Sequence, residues 1–264
     1  MPRNSADNFA KRLIEDLYEP KSDNCSASKK VMSYLYKPDS RISDYLQKLK
    51  VYTSLNRPTE KQRRDAGDLL EQIVVLTFLG LQGISSIKSF RSAGPQYDLL
   101  VGGDGVEWFC LCDFLFMEKN RRDIVVEAKC TKEKVSDQQF ARLCSLMEIN
   151  LPQTTGLGIF FTLKGATGFP RREDEVRQKQ LKEARMRQVL FRAKTGKAIV
   201  VLDVEDIFAL DKPASLIQIL ISKIRDLDHL SGLSPLEPCE ALELDLPRHL
   251  APLVDKFMTK LNTP

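Results

Sequence analysis

The residues best suited to chemistry in this 264-residue chain lie in the stretch Ile124-Val125-Val126-Glu127-Ala128-Lys129-Cys130, a short apolar run that ends in a carboxylate and an ammonium. As a buried strand with side chains alternating between faces, it sets Glu127 and Lys129 side by side, with Val126 and Ala128 facing the other way. A charge buried alone there is costly, so the pair makes sense when a cation, a phosphate or another carboxylate shares the pocket. Upstream, Gln96-Tyr97-Asp98-Leu99-Leu100-Val101 puts a third charge at the head of a second apolar strand. If the two strands pair, Asp98, Glu127 and Lys129 converge. Asp113, inside the apolar stretch Val106 to Phe116, is a rival for the role of Asp98.

Composition narrows the chemistry. Only His229 and His249 are present, both near the C-terminal end, which disfavours histidine catalysis and histidine metal clusters. Oxygen ligands remain, and they suit Mg²⁺ or Mn²⁺. Six cysteines, Cys25, Cys110, Cys112, Cys130, Cys144 and Cys239, lack the paired spacing of a zinc site or the density of a disulfide framework, and read as reduced thiols. The apolar and charged fractions, 42% and 29%, are those of an ordinary globular protein. No apolar run reaches the ~18 residues of a membrane span. MPRNSADNFA lacks the apolar region of a signal peptide, so a cytoplasmic protein without membrane attachment is expected.

The net charge of +4 is unevenly spread. From Arg171 to Lys197, ten basic residues face four acidic ones, whereas from Asp203 onward eleven acidic residues face six basic ones. The first segment reads as a helix over 173–193. Arg171, Arg172, Arg177, Lys179, Lys182, Arg185, Arg187 and Arg192 are its candidate phosphate contacts, since several Lys and Arg side chains on a phosphate backbone release counterions and dominate affinity.

The elements that would position these residues follow from periodicity. Helical patterns are expected over 5–19, 28–36 and 40–52, then in a long helix from an N-cap at Thr59 to about Leu81. Glu71 stands where that helix becomes apolar all round; it reads either as a solvated residue or as a carboxylate turned into the site. A meander of strands is expected over 84–90, 96–101, 106–116 and 123–130, with Gly102 to Gly105 as a tight turn. A helix capped by Ser136 or Asp137, a strand over 156–163, the basic helix and a strand over 198–203 make two strand-helix-strand crossovers and hence a parallel portion of sheet. Helices over 204–210, 214–228 and 248–261 complete the chain, the last after a Pro-rich connector at 231–247.

Pro95-x-x-Asp98 followed by Glu127-Ala128-Lys129 resembles the PD-(D/E)XK nuclease superfamily, closest to its Mrr-like branch, over about residues 59 to 211. The resemblance implies an α/β fold with a restriction-endonuclease-like mixed sheet core flanked by helices. It divides the chain into an N-terminal helical cap (1–57), a nuclease core (58–211) and a C-terminal helical extension (212–264). It also implies a metal-dependent DNA endonuclease of restriction or antiphage defence, acting as a homodimer with possible partner proteins of that system. Asp98 and Glu127 would be Mg²⁺ or Mn²⁺ ligands with the Ala128 carbonyl a third, and Asp98 is preferred to Asp113 because it opens a Leu-Leu-Val strand after Gly-Pro as the family motif does. Lys129 would orient the nucleophile and stabilise charge at the phosphate. Glu71 and Gln139 would sit in the site, as a helical glutamate and glutamine do in some relatives. A protein of the same fold that binds nucleic acid without cleaving it, or a nuclease acting on RNA or repair intermediates, shares these residues.

Overall fold

A computed structural model describes residues 24–55, 57–90, 97–130, 133–169 and 181–231. The helical patterns expected over 5–19 and 248–261 and the connector at 231–247 fall largely or wholly outside these residues, as do Arg171, Arg172, Arg177 and Lys179. The described residues belong to one compact unit, and Ser234–Pro264 lies outside them.

Along the chain run α1 (Asn24–Leu35), α2 (Ile42–Thr53), α3 (Glu60–Leu79), β1 (Ile84–Phe90), β2 (Tyr97–Gly103), α4 (Val106–Phe114), β3 (Asp123–Lys129), α5 (Asp137–Ser145), β4 (Thr155–Thr162), α6 (Glu183–Thr195), β5 (Ala198–Leu202), α7 (Val204–Phe208) and α8 (Ser215–Ser231). A single π-helical turn, Leu146–Asn150, extends α5. The five strands form one mixed sheet in the order β1-β2-β3-β4-β5. β1 with β2 and β2 with β3 are antiparallel, while β3 with β4 and β4 with β5 are parallel. The two expected crossovers, through α5 and α6, supply the parallel half.

Alternation along the strands divides the interior into two cores. Leu99, Val101, Ile124, Val126, Leu157, Ile159, Phe161, Val200 and Leu202 face the larger one, which α1, α2, α3, α4 and α8 cover. Val125, Phe160, Ile199 and Val201 face the smaller one, packed by Phe140, Leu143 and Met147 from α5 and its π turn and by Ala184 and Phe191 from α6. The result is a three-layer arrangement with helices on both faces of the sheet. Residues from 1–57 and from 212–264 enter the larger core directly: Val31, Leu35, Ile42, Leu46 and Leu49 lie with Leu216, Leu220, Ile224 and Leu227. The Tyr36 hydroxyl donates to the Leu210 carbonyl at 2.7 Å, tying the first helices to the segment before α8.

Several helix starts follow the chemistry of their caps. Thr59 opens α3 and Ser136 opens α5, each in a reciprocal capping box with Gln62 and Gln139 respectively, which satisfies otherwise orphaned backbone N–H groups.

Two expectations fail. The third strand of the meander is helix α4: Trp108, Leu111, Cys112 and Leu115 are buried at helical spacing, while Val106 is 61% exposed. A run of nearly continuous apolar residues hides its period, so strand and helix look alike until the core selects a face. Gly102 to Gly105 is accordingly a strand-to-helix connection with Gly105 as N-cap, not a hairpin turn. On α4, Cys110 is half-buried and Cys112 is buried. The basic helix also differs, since Leu181 and Lys182 are not helical and α6 starts at Glu183.

Candidate active site

The register of β2 on β3 decides which carboxylates meet. Leu99 pairs with Val126, Leu100 with Val125 and Val101 with Ile124, so one further step sets Asp98 opposite Glu127 on the same face of the sheet. Past the last of these pairs, the Asp98 side chain takes over from the backbone ladder: its Oδ2 accepts the Ala128 N–H at 2.6 Å. In a strand, a residue's N–H and C=O point toward the same neighbour, so the Ala128 carbonyl also turns toward the β2 side, beside Asp98. Lys129, two residues after Glu127, shares its face. Sequence periodicity anticipated this convergence of Asp98, Glu127 and Lys129.

Glu127 is 1% exposed, a burial that a lone carboxylate would not tolerate. Two cations attend it. Arg142 Nη2 of α5 donates to Oε1 at 2.7 Å. Lys129 Nζ stands 3.2 Å from Oε2, close enough for ion pairing but outside hydrogen-bonding geometry, so Oε2 is buried without a hydrogen bond. The site lies at the carboxyl end of β3, where the antiparallel and parallel halves of the sheet meet, and such ends of α/β sheets are natural places for ligands.

The other candidates stand elsewhere. Asp113 lies at the end of α4 and pairs with Arg122 at 2.9 Å. Arg122 immediately precedes β3, so that pair marks the opposite end of the strand from Glu127. Glu71 is exposed on α3, whose Gly67 abuts Cys130 and whose Leu70 and Val74 enter the larger core, on the face of the sheet that Glu127 does not use. The Gln139 carbonyl oxygen accepts the Ser136 N–H at 2.8 Å and so serves the helix cap.

The described part of the basic segment does not present a row of arginines to solvent, a correction to the sequence expectation. Arg192 is buried and holds Asp228 through Nε at 2.7 Å. Arg185 is buried too, and Arg187 makes a two-pronged contact with Asp137 at 2.6 Å on each side. Helical spacing turned Arg185 and Arg192 inward, while the exposed Arg187 is engaged by Asp137 of α5, neither of which local charge counting registers. Lys182 remains exposed. Arg142 is the site residue that sequence reasoning missed; the signal was its place one turn beyond Gln139 on the crossover helix that follows the Glu-x-Lys strand.

The described thiols are poor nucleophiles. Burial pushes Cys112 and Cys144 up to about 12, and it raises Cys130 as well, against the opposing charge of Lys164.

A small hard cation fits the residues present. Glu127 Oε2 is a buried oxygen lacking a hydrogen bond, Asp98 adds a second carboxylate, and the Ala128 carbonyl turns to the same place. No cluster of three or more His, Cys, Asp or Glu side chains suited to a metal occurs among the described residues. A cation that keeps several of its own waters needs no third carboxylate. No family model, curated protein or solved structure matches the chain.

Proposed function

We propose that this chain is a metal-dependent endonuclease hydrolysing phosphodiester bonds in duplex DNA, on a restriction-endonuclease-like sheet. The observation that carries the reading is the gathering of Asp98, the Ala128 backbone, Glu127 and Lys129 at one end of β3, around a buried carboxylate oxygen that has no hydrogen bond. The resemblance of Pro95-x-x-Asp98 and Glu127-Ala128-Lys129 to the PD-(D/E)XK motif supports the same conclusion, together with a homodimer and a role in restriction or antiphage defence.

A bound Mg²⁺ or Mn²⁺ would polarise the phosphoryl oxygen and make hydroxide available near neutral pH. Asp98 and Glu127 would hold it, Asp98 from a position set by its bond to Ala128. Lys129 extends from the strand with its ammonium beside Glu127 Oε2, where it orients the attacking water and faces the negative charge that develops at phosphorus. Lys129 and Arg142 balance the charges of Asp98 and Glu127 before substrate arrives.

That balance is also the observation favouring a second reading, a nucleic-acid-binding protein that does not cleave. With Arg142 on Glu127, the polar groups form an ion-paired set without a metal. Incubating the protein with plasmid, linear duplex, single-stranded DNA and RNA, in Mg²⁺, Mn²⁺ or EDTA, separates the readings. Nicked and linear plasmid in Mg²⁺ and none in EDTA is the expected result. Tight DNA binding with no cleavage in either metal would favour the silent protein, and preferential loss of RNA would move the substrate class.

A further inference from the structure

Glu127 meets a cation at each oxygen, yet the two are held very differently. Lys129 belongs to the same strand and is largely covered, whereas Arg142 reaches over from α5 and is 47% exposed. The bond to Glu127 Oε1 is the side-chain hydrogen bond that Arg142 makes among the described residues. A guanidinium carries five N–H donors in a fork that matches a phosphate, so most of its capacity is still open to a ligand arriving from solvent.

Formal charges make the consequence explicit. Asp98, Glu127, Lys129 and Arg142 together sum to zero, so a divalent cation entering alone brings two uncompensated positive charges into a pocket that already holds two. A phosphodiester with its attacking hydroxide carries two negative charges, and with these present the site returns to neutrality. Cation and phosphate should therefore each improve the binding of the other, an equal and reciprocal coupling.

We propose that Arg142 is the residue that carries this coupling: without substrate its guanidinium occupies Glu127 and competes with the metal, and when the phosphate enters it leaves Glu127 Oε1 for a phosphate oxygen. The inference rests on the reading of the site as a metal site. Exposure of Arg142 lets it move without opening the core, and the α5 cap formed by Ser136 and Gln139 keeps the backbone of its helix in place. The device weakens metal binding until a phosphodiester is there.

The test is calorimetric titration of Mn²⁺ into the wild-type protein, Arg142→Met, Arg142→Lys and Glu127→Gln, alone and with thymidine 5′-monophosphate as a phosphate probe that a diesterase does not consume. Binding to Glu127→Gln defines the background from metal–nucleotide association. In the wild type the nucleotide should tighten Mn²⁺ by about tenfold, within the usual range of coupled sites. Arg142→Met should bind Mn²⁺ alone about tenfold more tightly and gain little from the nucleotide. Arg142→Lys, which keeps the charge but not the fork, should bind Mn²⁺ alone as the wild type does and gain less from the nucleotide; it also serves if Arg142→Met unfolds. Equal Mn²⁺ affinity and equal nucleotide gain in wild type and both Arg142 variants, with Glu127→Gln inactive in binding, would overturn the role of Arg142 and leave the metal site standing. No Mn²⁺ binding by the wild type or either Arg142 variant, with or without nucleotide, would overturn the metal site and this inference with it.

Discussion

Asp98 and Asp113 are identical side chains in apolar stretches of the sequence, and what separates them is the backbone that carries each. Asp98 Oδ2 holds the Ala128 N–H at 2.6 Å beside Glu127, while Asp113 lies on a helix and is paired with Arg122. Asp98→Asn should lower the cleavage rate by about 10²-fold or more, the scale of losing one preorganised electrostatic group. Asp113→Asn should stay within about twofold, since its largely exposed carboxylate stands at the opposite end of β3 from Glu127. Single-turnover rates on one duplex distinguish them, and an inactive Asp113→Asn beside an active Asp98→Asn would move the site to α4. A second expectation concerns pH. The hydrogen bond from Arg187 holds the Asp137 carboxyl below its ordinary value, burial opposes this slightly, and the charge of Arg187 adds to it. A folded value lowered in this way adds stability that is complete above the unfolded value of roughly 3.9 and is lost as the pH falls through the folded one. Arg187→Ala should thus cost about 0.5 kcal/mol at neutral pH, the scale of an exposed pair, and the difference should close in acid below ~4; urea denaturation across pH checks it. Glu127, Lys129 and Asp98 were legible in the sequence because alternation within one strand fixes their face and an apolar run announces burial. Arg142 was not, because its meeting with Glu127 depends on how a crossover helix lies on the sheet. Gln139 could be read as a site contact or as an exposed helix residue, since nothing local to the chain shows that its amide caps the helix.

Helices whose caps and stripes agree, such as α3 with Thr59 and α5 with Ser136, could be placed to within a residue or two from the chain alone. Helix α4 could not, because a stretch that is apolar nearly throughout carries no period, and the choice between strand and helix was made by the packing of Trp108 and Leu111. The connection into α4 has a steric requirement that tests its geometry. A Cβ on Gly103 would collide with the Gly83 carbonyl oxygen and approach Trp108 Cγ to 2.5 Å. Gly103→Ala should therefore destabilise the fold by about 1–3 kcal/mol, as overpacking does, with a matching fall in urea midpoint; an unchanged midpoint would mean that β2 and α4 meet differently. Helix α6 misled charge counting in the opposite way. Its Arg192 looked like a phosphate contact, but its guanidinium is 9% exposed against Asp228, itself 13% exposed. Removing one partner of such a pair leaves the other uncompensated, so Arg192→Gln should cost about 3–5 kcal/mol and leave the salt dependence of DNA binding unchanged. A shallower salt slope without loss of stability would restore Arg192 to the nucleic-acid surface.

Across the protein, basic and acidic residues are segregated, with an excess of positive charge from Arg171 to Lys197 and of negative charge from Asp203 onward. Because Arg185, Arg187 and Arg192 are turned inward or engaged, the proposed attraction for a phosphate backbone would fall on the exposed Lys182, on Arg142 and Lys164 near the carboxyl end of the parallel strands, and on the basic residues between Arg171 and Lys179. The described core joins its first and last helices through one apolar interior, so substitutions in the site can be made without dividing the fold. Glu127→Gln is the informative change: it keeps the shape of a fully buried side chain, removes the charge that Arg142 and Lys129 attend, and exposes no new cavity. The decisive measurement is the single-turnover rate of duplex cleavage as a function of Mg²⁺ concentration, for wild type and Glu127→Gln at equal DNA occupancy. A rate that saturates with Mg²⁺, vanishes in EDTA and falls by about 10³-fold in Glu127→Gln that is still folded at the assay temperature is what the proposed chemistry predicts; cleavage that survives in EDTA, or a Glu127→Gln protein that cuts at the wild-type rate, would contradict it.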